Sequence, residues 1–158
     1  SGKSFIGSII SKKLGIDFID IDHEIEKKIG MKISKIFQDK GEKYFRETEM
    51  TTTLKILKRN QIVISLGGGA FLNNKIKKEI LEKHISFWLN WDVKTLVNRI
   101  KNSQKRPVAF KASKEQLIEL IKKRSIVYSK AMYKIDCENL TKNEIVKNIL
   151  KIYETHKT

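Results

Sequence analysis

Ser1-Gly2-Lys3-Ser4 opens the chain, and Phe5-Ile6-Gly7-Ser8-Ile9-Ile10-Ser11-Lys12-Lys13-Leu14-Gly15 follows it. The first four residues match the second half of a phosphate-binding loop, Gly-x-x-x-x-Gly-Lys-Ser/Thr. Each residue type has a chemical reason. Gly2 lets backbone N–H groups approach phosphate oxygens with no side chain between them. Lys3 brings a flexible point charge to the β- and γ-phosphates, and the Ser4 hydroxyl can ligate Mg²⁺. Phe5, Ile6, Ile9, Ile10 and Leu14 recur at helical spacing, and the run stops at Gly15. The loop therefore opens a helix, whose N-terminal dipole also favours an anion. The first glycine of the motif, and the strand that should precede it, would lie ahead of Ser1. No Met starts the chain, so an N-terminal stretch is expected to be missing from it. Gly-Lys-Ser before a helix also arises by chance, so the downstream residues must decide.

Composition sets bounds. The chain has 158 residues, 40% hydrophobic and 32% charged, as expected of one globular domain spanning 1–158. No apolar run approaches the ~20 residues that span a bilayer, and no signal peptide is visible. The single Cys137 has no disulfide or metal-ligand partner pattern, which suits a reducing, cytoplasmic setting. The net charge of +15 invites a nucleic-acid reading. However, the lysines are spread over helix surfaces, no Lys/Arg block exceeds three, and aromatics do not interleave with basic residues. Compositional bias, or an anionic small-molecule substrate, accounts for the charge better. No nucleic acid and no membrane are expected as partners.

Asp17-Phe18-Ile19-Asp20-Ile21-Asp22 reads as a strand running into a helix at His23. In a strand, Asp20 and Asp22 would share a face about 7 Å apart. At the C-terminal end of an α/β strand, one carboxylate can hold a Mg²⁺-bound water and the other can accept a hydroxyl proton. The spacing equally suits Asp22 as a helix N-cap with Asp20 solvated. Helical pattern continues over Ile25–Ile29, over Ile33–Lys40 and on to about Arg59, broken at Gly30 and Gly41. Alone, Arg46 reads as a surface cation, and Phe37 and Phe45 read as core.

Gln61 to Leu66 is a continuous apolar run of strand length, as in a buried parallel strand. It ends in Gly67-Gly68-Gly69-Ala70. Three glycines there allow unusual backbone angles and main-chain contact with a ligand. A flexible turn is the plainer alternative, and the position at the strand end favours a site. A helix over Asn73–Lys83, a strand over Ile85–Leu89 and a helix capped by Asp92 follow. Residues 103–114, with the chain's only proline at Pro107, are polar and aperiodic and suit a lid loop. A helix over Lys114–Ala131, a strand over Tyr133–Cys137 and a helix over Lys142–Tyr153 complete the chain. Strands alternate with helices. The predicted fold is therefore α/β, a three-layer arrangement with a central parallel sheet of about five strands, the first ahead of Ser1.

In this order the pieces resemble the shikimate kinases, small P-loop kinases of aromatic amino-acid biosynthesis. The resemblance covers nearly the whole chain. It rests on Gly2-Lys3-Ser4, Asp20-Ile21-Asp22, Phe45-Arg46-x-x-Glu49, Ser65 to Ala70, Arg106-Pro107 and Lys123-Arg124-Ser125-x-x-Tyr128. It implies a P-loop NTPase fold, with ATP and Mg²⁺ as cofactors and shikimate as the acceptor. By the same resemblance Gly2, Lys3, Ser4, Arg99 and Arg106 bind nucleotide. Ser4, and Asp20 through water, serve Mg²⁺. Asp22, Arg46, Arg124, Gly67, Gly68 and Gly69 bind the substrate between apolar walls Phe37 and Phe45. Lys3, Asp22 and Arg106 are the implied catalytic residues. Residues 22–50 form the implied substrate-binding region, 103–114 the lid, and the protein is expected to be monomeric. Two departures stand out. The lid continues Arg106-Pro107-Val108 where the family usually has leucine after proline. The stretch Cys137 to Thr141 also lacks an arginine that the family often carries. A kinase for another small polyol, such as gluconate, and a nucleic-acid-binding module are the competing readings.

Overall fold

The computed structural model describes residues 2–102 and 112–157. Helix α1 (Lys3–Leu14) starts after Gly2 and ends at Gly15, both in the left-handed region, at φ 76° and 67°. Glycine is suited to such positions because it has no Cβ to clash. Strand β1 (Asp17–Asp20) leads into α2 (Ile21–Ile29). Helix α3 (Ile33–Ile56) is bent at Gly41, whose φ of 87° and ψ of 166° interrupt its helical backbone. Strand β2 (Ile62–Ser65) is followed by the three glycines and a 3₁₀ turn at Ala70–Leu72. Then come α4 (Asn74–Lys83), β3 (Phe87–Asn90), α5 (Val93–Lys101), α6 (Lys114–Tyr128), β4 (Tyr133–Asp136) and α7 (Lys142–Lys157).

The strands pair in parallel, β1 with β2 and β3 with β4. They form two parallel pairs, not one continuous sheet. About five strands were expected, one of them ahead of Ser1. The four expected within the sequence are the four found among the described residues. One apolar cluster joins the pairs: Ile6 and Ile10 of α1 with Ile135, Cys137, Ile145, Val146 and Ile149, flanked by Val63 of β2 and Phe87 and Leu89 of β3. A second cluster lies under α2 and α3 around Ile21, Ile25, Ile36 and Phe45. A third gathers Leu57, Ala70, Phe71, Ile76 and Ile80, and a fourth fastens α5 to α6. Each fully buried isoleucine in these clusters is worth about 1.5–3 kcal/mol of apolar burial.

Caps set the boundaries. Asn73 and Asp92 accept hydrogen bonds from the first-turn amides of α4 and α5, as their residue types predict. Ser113 and Gln116 form a reciprocal capping box at the start of α6. The expected strand through Asp22 is shorter. It stops at Asp20 because the Asp20 carboxylate accepts the His23 N–H at 3.2 Å and turns the chain into α2. So Asp20, not Asp22, is the N-cap, and Asp22 lies in the first helical turn. The β3 strand begins at Phe87 instead of Ile85, because its ladder with β4 starts at the Phe87–Tyr133 pair. No described helix is long and apolar enough to cross a membrane. Most of the lid stretch, with Arg106 and Pro107, lies outside the described residues.

Gly7 packs α1 on β1 with no space to spare. A Cβ there would lie 2.6 Å from Cε1 of Phe18. Gly7→Val should therefore destabilise the protein by about 1–3 kcal/mol through overpacking, read as a lowered urea midpoint with an unchanged slope.

Candidate active site

The site is built at the C-terminal ends of β1 and β2. Their register sets Asp20 beside Ser65. The Ser4 hydroxyl in the first turn of α1 donates to Oδ2 of Asp20 and lies 3.4 Å from Oγ of Ser65. Three oxygen-bearing side chains thus meet at the mouth of the Gly2-Lys3-Ser4 loop. Hard oxygen donors of this kind suit Mg²⁺, which takes one or two carboxylates together with phosphate oxygens and waters. Among the described residues no group of three or more His, Cys, Asp or Glu side chains could hold a metal by itself.

Arg99 of α5 comes to the other side of the loop. Its Nη1 lies 4.0 Å from where a Gly2 Cβ would be, and its guanidinium stacks on Trp91 at 4.2 Å from the ring centroid. The stacking holds a delocalised cation beside the loop. Lys142, at the start of α7, places its Nζ 4.3 Å from the ring centroid of the exposed Phe5. Neither Phe5 nor Lys142 was singled out from the sequence, because they meet across 137 positions of chain.

The three glycines form the second half. None has a positive φ, so their backbone freedom is not what the position requires. Room is what it requires. A Cβ on Gly67 would stand 2.6 Å from Oδ1 of Asp22 and 2.9 Å from Oε2 of Glu49. On Gly69 it would stand 2.5 Å from Nη1 of Arg46, and on Gly68 3.3 Å from Nη1 of Arg124. Backbone here lies directly against four charged side chains delivered by α2, α3 and α6. Asp22, Arg46 and Arg124 therefore converge on Gly67–Gly69, the residues that the resemblance assigns to the substrate. Asp22 arrives from a helix turn and not from a strand. Phe37 and Phe45 pack with tilted rings at 4.8 Å between centroids, and the Arg46 guanidinium lies 5.3 Å from the Phe45 ring centroid. Arg106 lies outside the described residues.

Glu49 is a site residue to which the sequence assigned no role. It is 3% exposed, and its Oε1 accepts a hydrogen bond from Nη1 of Arg46 at 2.9 Å. Its pKa is raised above the ordinary 4.5, chiefly by burial; Arg46 and Arg124 pull it down, and Asp22 pushes it further up. The spacing of Arg46 and Glu49, one helical turn apart, was the signal available. Burial of Glu49 was not readable locally. Cys137 is a buried thiol pushed up to about 11 by desolvation, remote from nucleophilic use at neutral pH.

With this geometry in place, comparison with known proteins is specific. The family model described as Shikimate kinase matches residues 1–154. The chain is 37% identical to the shikimate kinase of Persephonella marina over 150 residues, which is 95% of this chain and 91% of the relative. It is 36% identical to that of Bacillus subtilis over 156 residues, 95% of this chain and 82% of the relative. The shikimate kinase of Acinetobacter baumannii, solved in complex with shikimate, superposes with a TM-score of 0.91 at 28% identity, covering 99% of this chain and 88% of that one. The Aquifex aeolicus enzyme gives 0.88 at 32%, covering 99% and 92%. The chain belongs to the shikimate kinase family.

The raised pKa of Glu49 makes a pH prediction. An acid whose folded pKa lies above its unfolded value binds more protons when folded. Its contribution to stability is therefore largest below about 4.5 and falls as pH rises from there through the raised folded value. The stability of wild type relative to Glu49→Gln should decline with rising pH across that window, measured as paired urea midpoints. A flat difference would show that Glu49 titrates normally.

Proposed function

We propose that this chain transfers the γ-phosphoryl group of ATP to the 3-hydroxyl of shikimate, giving shikimate 3-phosphate and ADP. The single observation that carries the reading is the triple-glycine loop. Asp22 meets it at Gly67, Arg124 at Gly68 and Arg46 at Gly69, beside a phosphate-binding helix start. Two guanidiniums suit one carboxylate, since each presents paired donors in the plane a carboxylate needs. One aspartate and a run of exposable backbone amides suit hydroxyls. Gluconate also carries a carboxylate that such a pair would suit; the shikimate kinase family model over residues 1–154 supports shikimate over it.

The proposed mechanism follows from these residues. Arg46 and Arg124 fix the acceptor's carboxylate, and Glu49 keeps the Arg46 guanidinium aimed. Phe37 and Phe45 wall the pocket and exclude water from it. Asp22 accepts the hydrogen bond of the attacking hydroxyl and takes its proton as the oxygen–phosphorus bond forms and the bond to the β–γ bridging oxygen breaks. Lys3 and the amides at the start of α1 offset charge on the phosphoryl oxygens, the main task of a protein in this chemistry. Gly2 and Arg99 complete the nucleotide side. Ser4, and Asp20 through water, would hold Mg²⁺, which when bound would supply further positive charge to the phosphates. For Arg106 the assignment rests on the resemblance alone. The proposed assembly is a monomer of one domain in the cytoplasm. Residues 22–50 carry most of the substrate pocket, and 103–114 act as its lid.

An acceptor panel tests the assignment. ADP release with ATP and Mg²⁺ should be strong with shikimate and at background with gluconate and related polyols. Oligonucleotide binding without shikimate turnover would overturn the reading. Asp22→Asn should lower kcat by at least ~10²-fold, on the scale of acid–base and positioning effects. A near-normal kcat would remove Asp22 from the reaction.

A further inference from the structure

The Tyr128 hydroxyl donates a hydrogen bond to the main-chain carbonyl of Gly68, across 60 positions of sequence. Tyr128 is the last residue of α6 and stands one helical turn after Arg124, so both reach toward the same loop. Its ring packs 6.5 Å from Phe71 and 6.1 Å from Trp88 between centroids. It also borders the apolar cluster of Ala70 and Phe71, the two residues that follow the glycines. The hydroxyl is thus a fixed donor, not a swinging one.

The carbonyl of Gly68 belongs to the same planar trans peptide as the amide N–H of Gly69; there is no cis peptide bond among the described residues. In such a peptide the C=O and N–H point in opposite directions. Fixing the Gly68 carbonyl on Tyr128 therefore aims the Gly69 N–H away from Tyr128. Peptides between glycines rotate with little steric resistance. Without an anchor this one can turn its carbonyl, an acceptor, to where a donor is wanted. We infer that Tyr128 is a positioning residue for the acceptor site: it locks the Gly68–Gly69 peptide in the orientation that offers an amide donor to the bound molecule. The same helix places Arg124 at Gly68, so α6 sets the loop's polarity and its cationic neighbour together.

This inference rests on the acceptor reading above, and two measurements separate them. The first is kinetic, on the full chain. Tyr128→Phe keeps the ring and removes only the hydroxyl. It should raise the shikimate KM roughly tenfold, the scale of one lost hydrogen bond, while leaving the ATP KM within about twofold. Tyr128→Ala should add a drop in Tm, since it also removes the packed ring. An unchanged shikimate KM in Tyr128→Phe, or an equal rise in both KM values, overturns the role. The second needs no substrate. In the free protein, Tyr128→Phe should shift the backbone amide resonances of Gly68 and Gly69 and speed their hydrogen exchange, leaving those of α7 unchanged. Coincident spectra at the loop overturn the inference even if shikimate proves not to be the acceptor.

Discussion

Backbone at Gly67–Gly69 lies so close to four charged side chains that no Cβ fits at Gly67 or Gly69 without displacing a carboxylate or a guanidinium. The rest of the site depends on this approach. It lets α2, α3 and α6 bring Asp22, Arg46, Glu49 and Arg124 to one short loop. Burying such groups is costly unless they are paired. Arg46 answers part of that cost by pairing with Glu49. The buried Glu49 takes the Arg46 hydrogen bond, and burial still outweighs Arg46 and Arg124 in holding its pKa above the ordinary value. Glycine is required here by space, because none of the three has a positive φ.

The nucleotide side depends on a different use of the same residue type. Gly2 is in the left-handed region at φ 76°, where its carbonyl accepts the Ile6 N–H as the first bond of α1. The loop is then tied to the sheet by one hydroxyl. Ser4 donates to Asp20, and Asp20 in turn caps α2, the helix that carries Asp22. A single carboxylate therefore links the start of α1, the end of β1 and the start of the helix bearing the proposed proton acceptor. That chain of contacts relates the position of the phosphate loop to the position of Asp22.

Much of this was legible in the sequence, and the misses share one cause. The helix ends at Gly15 and Gly30, the kink at Gly41 and the cap at Asp92 are local events, and local residue types predict them. The strand at Asp17 was read two residues too long. Alternation of Asp20, Ile21 and Asp22 fits a strand as well as a capped helix, and the deciding hydrogen bond to His23 is invisible to pattern. The grouping of Asp22, Arg46, Arg124 and the glycines came from motif order in a family resemblance, not from periodicity. Glu49 and the bond from Tyr128 to Gly68 escaped because they depend on burial and on contacts made only when distant elements meet. The Lys142–Phe5 stack escaped for the same reason.

Strand β2 explains how the two halves stay in register. Its side chains alternate faces. Val63 packs into the cluster of α1 and α7, while Ile62 and Ile64 pack into the cluster of α2 and α3. Both faces are covered, which is why its sequence reads as a continuous apolar run. Ser65 shares the face of Val63, so its hydroxyl meets Ser4 at the head of α1. Leu66 turns back to the clusters of α2, α3 and the Ala70–Phe71 turn. The next residue is Gly67. A slip of one position would exchange the two faces. It would bury Ser65 under α3 and carry the glycines away from the arginines. The buried apolar contacts on both sides of four residues thus hold the phosphate loop and the charged pocket at a fixed separation.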